Sequence, residues 1–91
     1  SSLAYLRRVM KDEHVDCDYI SYQIFLAFQE SKLPEFLVYY IVCLYRLEDI
    51  DNAIINLELL TFYDELWIAK LHELEPKLLT DKRIIKYLNK K

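Results

Sequence analysis

The fold turns on Pro34–Tyr63, which reads PEFLVYYIVCLYRL, then EDID, then NAIINLELLTFY. Two apolar runs flank the acidic residues Glu48, Asp49 and Asp51. Pro34 followed by Glu35 is a helix start, because proline's missing N–H costs nothing in the first turn and a carboxylate suits the positive end of the dipole. The first run is apolar nearly all round, from Phe36 through Val38, Ile41 and Val42 to Tyr45, as a helix in the middle of a bundle would be. The β-branched and aromatic content of FLVYYIVCLY also allows a strand. The Pro-Glu opening and the absence of glycine punctuation favour the helix. In the second run Ala53, Ile54, Leu57, Leu60 and Tyr63 recur at helical spacing, with Asp49 or Asp51 as the cap.

Working outward, Leu3, Leu6, Val9 and Met10 mark a first helix over 2–11 with Ser2 as its cap. A polar loop, DEHVDCD, leads to a second helix capped by Asp16 or Asp18 and ending near Ser31, with Ile20, Ile24, Ala27 and Phe28 as its stripe. Beyond Tyr63, Thr61 or Asp64 caps a fifth helix, DELWIAKLHEL, expected to bury Leu66, Trp67, Leu71 and Leu74 until Pro76 stops it. Thr80 is expected to cap a last helix over 81–89, with Ile84, Ile85 and Leu88 on its apolar side. The fold class is therefore all-α: one compact domain over 1–91, a bundle of five or six short antiparallel helices.

The phrase Leu44–Ile54, LYRLEDIDNAI, followed by Leu57 and Leu60, resembles the tetratricopeptide pattern YYRLGDYEKAI. The resemblance implies a TPR-like helical hairpin at the centre of the bundle. Ala53 would sit at the closest approach of its helices, packed by Leu37, Tyr40, Leu44, Leu57 and Leu60. It also implies a scaffold that binds protein segments in helical grooves. That family's small positions hold Ile41 and Glu48 here, and Tyr and Ile replace its basic peptide clamp. Without the family, LEDIDNAI is a helix–turn–helix with an acidic cap.

Composition narrows the function. Of 91 residues 54% are hydrophobic and 14% aromatic, and none is glycine, which excludes glycine-rich phosphate loops. Cys17 and Cys43 are too few for a disulfide framework, and Cys43 in an apolar run reads as a reduced, buried thiol, hence an intracellular setting in cytoplasm or nucleus. The uncharged run Phe36–Tyr45 is only ten residues, too short to span a membrane, and the N-terminus has no signal-peptide core. The opening Ser1 is compatible with a fragment of a longer protein.

Asp12, His14, Asp16 and Asp18 alternate like the start of a calcium loop, but Cys17 and Gln23 stand where that loop needs glycine and glutamate. His14 with Cys17 supplies two zinc ligands or a thiol–base pair, with no third group indicated, and His72 reads as a surface group at a helix C-terminus. No enzyme, metal or other cofactor is expected.

Charge and tyrosine point elsewhere. From Pro76 on, six cations face Asp81 alone, a net +5 against −8 upstream. Lys82, Arg83, Lys86 and Lys90 make a nucleic-acid contact the alternative function, although the acidic remainder repels phosphate. The basic helix against the acidic turn is also a route to self-association. Eight tyrosines are more than a core of this size satisfies, so an exposed aromatic patch is expected. The expected function is a protein–protein interaction or dimerisation domain of a complex subunit or assembly factor. Its partner, or a second copy, would meet Tyr39, Tyr45, Phe36 and Tyr22, with Lys82, Arg83 and Lys86 on the basic helix.

Overall fold

Pro34 opens α3 (Pro34–Arg46) without any side-chain cap, and four of the other helices are laid around it. In the computed structural model, which describes residues 2–90, α3 packs against α1 (Leu3–Val9), α2 (Cys17–Ser31), α4 (Ile50–Leu60) and α5 (Leu66–Leu74). A 3₁₀ turn (Leu78–Thr80) leads into α6 (Lys82–Asn89), which rests on that turn and on α4. No strand occurs among the described residues. The radius of gyration, 12.2 Å, is what about 91 residues in one compact body give.

The helix starts are made by short polar side chains. Ser2 accepts the Tyr5 N–H at 3.2 Å, Asp16 that of Tyr19 at 3.2 Å and Asp49 that of Asn52 at 3.4 Å. Asp64 accepts the Leu66 N–H at 3.0 Å. The last helix departs from expectation: Asp81, not Thr80, is the cap, because its carboxylate reaches the Arg83 N–H at 2.9 Å. With no glycine available, Lys32 and Glu48 take the left-handed turns, at φ 57° and 62°. Glu48 stands where the tetratricopeptide pattern has glycine.

The core is one continuous cluster. Leu37, Val38, Ile41, Val42 and Cys43 of α3 are fully buried among Leu6, Ile24, Leu57, Leu60, Leu71, Leu78 and Ile84. Ala53 is also fully buried. Two expectations fail here. Leu66 is 53% exposed, because α5 opens at that residue and only Leu71 of α5 is deeply buried. Ile85 and Leu88 stay at the surface, and α6 inserts Ile84 alone.

Candidate functional site

The residues expected to meet a partner separate into three groups. Tyr39 and Phe36 point inward. Tyr39 is 1% exposed, and its hydroxyl donates to Glu35 Oε2 at 2.7 Å. Glu35, itself buried, is gripped from α1 by Arg7, whose Nε and Nη2 donate at 2.7 and 2.8 Å. The Arg7 hydrogen bonds hold the Glu35 carboxyl below the usual range, while burial and the Glu35 contact push the Tyr39 phenol up. Phe36 is in the core cluster. In this fold neither side chain is presented to a partner, because α1 closes over one side of α3 and Glu35, held by Arg7, takes the tyrosine hydroxyl that solvent would otherwise have to.

Tyr45, Lys82, Arg83 and Lys86 gather where α6 begins. Arg83 Nη2 donates to Asp81 Oδ2 and Nη1 to Glu48 Oε2, both at 2.8 Å, and the Tyr45 hydroxyl donates to Asp81 Oδ2 at 2.8 Å. These contacts, led by Arg83, hold the Asp81 carboxyl well below the carboxylate range. The basic helix thus meets the acidic turn within its own chain. Tyr45 is half-buried and occupied, Arg83 is committed to two carboxylates, and Lys82 and Lys86 are exposed. Lys91, counted in the basic tail, lies outside the described residues.

Tyr22 is exposed, and it continues an aromatic contact chain outward: Tyr40 lies 5.5 Å from Phe25, and Phe25 stacks 6.4 Å from Tyr22. With Tyr19 and Leu26 it forms the outer stripe of α2. The Tyr22 ring leans on Phe25 while staying largely exposed, a comfortable surface position for a tyrosine.

Other chemistry-bearing residues stand apart. His14 is at the surface beside Glu13. Among the described residues no group of three His, Cys, Asp or Glu is placed to hold a metal ion, and no helix is long and apolar enough to cross a membrane. Cys17, the first residue of α2, meets Cys43 of α3 as a pair of buried free thiols. The Cys43 hydrogen bond, helped by Arg46, holds the Cys17 thiol below its ordinary range, whereas Cys17 and burial push Cys43 up.

The feature that sequence reasoning passed over is the outer face of α4. Ile55 and Leu59, one turn apart on α4, are 62% and 40% exposed, and Phe62, in the turn just past the end of the helix, is 82% exposed and extends the apolar patch. Leu66 follows at the head of α5. The signal was in the sequence but masked: seven of eleven α4 residues are apolar, so periodicity alone could not say which side faces out. The core takes Ala53, Leu57 and Leu60, leaving the opposite side uncovered. No match was found to a protein-family model, to a curated protein or to a solved structure.

Proposed function

We propose that the chain is a non-enzymatic protein-interaction domain that docks through the outer face of α4. The observation that carries this reading is the stripe Ile55, Leu59 and Phe62. These side chains have no polar atom to justify a surface position. Fully burying an exposed side chain of this kind is worth about 1.5–3 kcal/mol, a gain that Phe62 would approach and the partly covered Leu59 would reach only in part. Aligned apolar residues on one helix face are the usual anchors of helix-in-groove recognition, and their grouping sets them apart from the scattered surface hydrophobics of an ordinary domain. The adjacent free thiols Cys17 and Cys43 support a reducing, intracellular setting. The nucleic-acid reading loses ground because Arg83 is occupied by Asp81 and Glu48.

The test is site-specific photo-crosslinking in cells that express the chain, with a benzophenone amino acid at 55, 59 or, as control, 82. Crosslinks to one defined protein at 55 and 59, absent at 82 and abolished by Phe62→Glu, are the expected result. Crosslinks that ignore position or survive Phe62→Glu overturn the proposal. Light scattering over a concentration series tells a second copy from a different partner.

A further inference from the structure

Resting on α4 as the docking face, we infer that its occupant is a cationic amphipathic helix of another protein. The argument is charge complementarity around an apolar stripe. Residues 47–69 contain six carboxylates, on Glu48, Asp49, Asp51, Glu58, Asp64 and Glu65, and no Lys, Arg or His. That stretch includes all of α4 and the start of α5, so the whole apolar stripe lies within it. Asp51 precedes Ile55 by one helical turn and Glu65 lies just beyond Phe62, so the stripe has acid at both ends. Glu48 is already matched by Arg83, Glu58 accepts the Tyr87 hydroxyl of α6, and Asp49 and Asp64 are turned to backbone N–H groups as caps. Asp51 and Glu65 have no such engagement among the described residues.

The spacing sets the partner's form. Ile55 to Leu59 is one turn, about 6 Å along α4, and Phe62 extends the patch into the turn that follows. A helix laid along it would offer apolar residues at three- and four-residue intervals, with Lys or Arg beside them to meet the acidic ends. A second α4 is disfavoured, because it would bring the same acids against these.

The experiment is a selection on the intact chain from a displayed library of α-helical peptides of about 18 residues, randomised on every exposed position. Recovered peptides are then measured by fluorescence anisotropy against the wild-type chain, Phe62→Glu and the double variant Asp51→Lys, Glu65→Lys. Circular dichroism and thermal midpoints check that the variants keep the fold. The expected result is enrichment of Lys and Arg flanking an apolar stripe. Affinity should fall about tenfold or more in Phe62→Glu and in the charge-reversed chain. Neutral or acidic winners that still need Phe62 overturn the partner chemistry and leave the docking face standing. Winners indifferent to Phe62, or no winners, overturn both. Self-association through α4 in light scattering also overturns the inference, since the occupant is then a second copy.

Discussion

The hydroxyl of Tyr39 donates to Glu35 one turn earlier on α3, at 2.7 Å, inside a site where the carboxylate is 7% and the tyrosine 1% exposed. Arg7 completes the set from α1, so a polar trio fastens the first helix to the central one. Tyr39→Phe removes one charge-assisted hydrogen bond and leaves the ring packed, so stability should fall by about 1–2 kcal/mol in urea titration. Glu35→Leu should cost more than Tyr39→Phe, because it strands the buried hydroxyl and unties α1. Equal losses in the two variants would show that the trio contributes nothing beyond the Tyr39 contact.

The trio and the Asp81 cluster at the start of α6 together set a pH dependence with two limbs. Glu35 and Asp81 both have folded-state pKa values below the ordinary range, through hydrogen bonds led by Arg7 and Arg83 respectively. Their contribution is complete above the unfolded carboxylate values of about 4 and is lost as pH falls through the lower folded values. Tyr39 is shifted upward by burial first and by Glu35 second. Its contribution is complete below the ordinary phenol value of about 10 and is lost as pH rises from there toward the folded value. Urea midpoints across pH should fall at both ends; Tyr39→Phe should flatten the alkaline limb in part, since the Tyr40 and Tyr45 phenols are also raised, and should shallow the acid limb slightly, since the Tyr39 hydroxyl helps to hold Glu35 low.

Helix order and boundaries were legible because they depend on local chemistry. Pro34, the Asp16 and Asp49 caps and Ser2 all act within four residues of themselves. The candidate site was much less legible. Tyr39 looked like an interface residue because nothing near it in sequence satisfies its hydroxyl except Glu35, and Glu35 is held inside by an arginine 28 residues away. Phe36 failed similarly, since an all-apolar helix gives no sign of which face is left open. On α4 the polar residues Asp51, Asn52, Asn56 and Glu58 are too few to define a wet side. Burial of Ala53 and Leu57 against α3 had to be seen before Phe62 could be recognised as outward.

Glu48 carries a left-handed backbone, φ 62°, at the C-terminal end of α3. For a residue with a Cβ this conformation costs about 1 kcal/mol. Its ion pair with Arg83 joins two half-exposed or more exposed side chains, a kind of contact worth about 0–1 kcal/mol. Glu48→Gly should therefore hold or raise the thermal midpoint, while Glu48→Val should lower it clearly. A glycine variant less stable than the valine variant would show that the ion pair dominates over backbone strain.

Cys17 and Cys43 should react unequally. Cys17 is 5% exposed at the start of α2 and held below the ordinary thiol range by Cys43 and Arg46, while Cys43 is wholly buried and shifted upward. Iodoacetamide at neutral pH should label Cys17 in the native chain, and Cys43 only after unfolding, as read by peptide mass mapping. Arg46→Met should slow labelling of Cys17. Equal native labelling of both thiols would mean that global opening, not local thiolate character, controls access.

Arg46 has a second task, which makes it the hinge-pin of the far end of the bundle. Its Nε donates to Glu75 Oε1 at 2.8 Å, with both side chains about one-seventh exposed, and its Nη1 donates to the Asp12 carbonyl at 3.3 Å. One guanidinium thus ties the end of α3 to the end of α5 and to the loop before α2. Arg46→Ala leaves Glu75 partly buried without its cation and frees the loop, and should cost about 2–3 kcal/mol. Arg46→Lys should recover little, because an ammonium cannot reach two acceptors in different directions from one planar group. Glu75→Gln keeps a neutral acceptor and should cost less than Arg46→Ala. Hydrogen exchange locates the loss: residues 10–16 should exchange faster in Arg46→Ala but not in Glu75→Gln, since the Asp12 contact survives there. Faster exchange in both variants would place the tether at Glu75 rather than at Asp12.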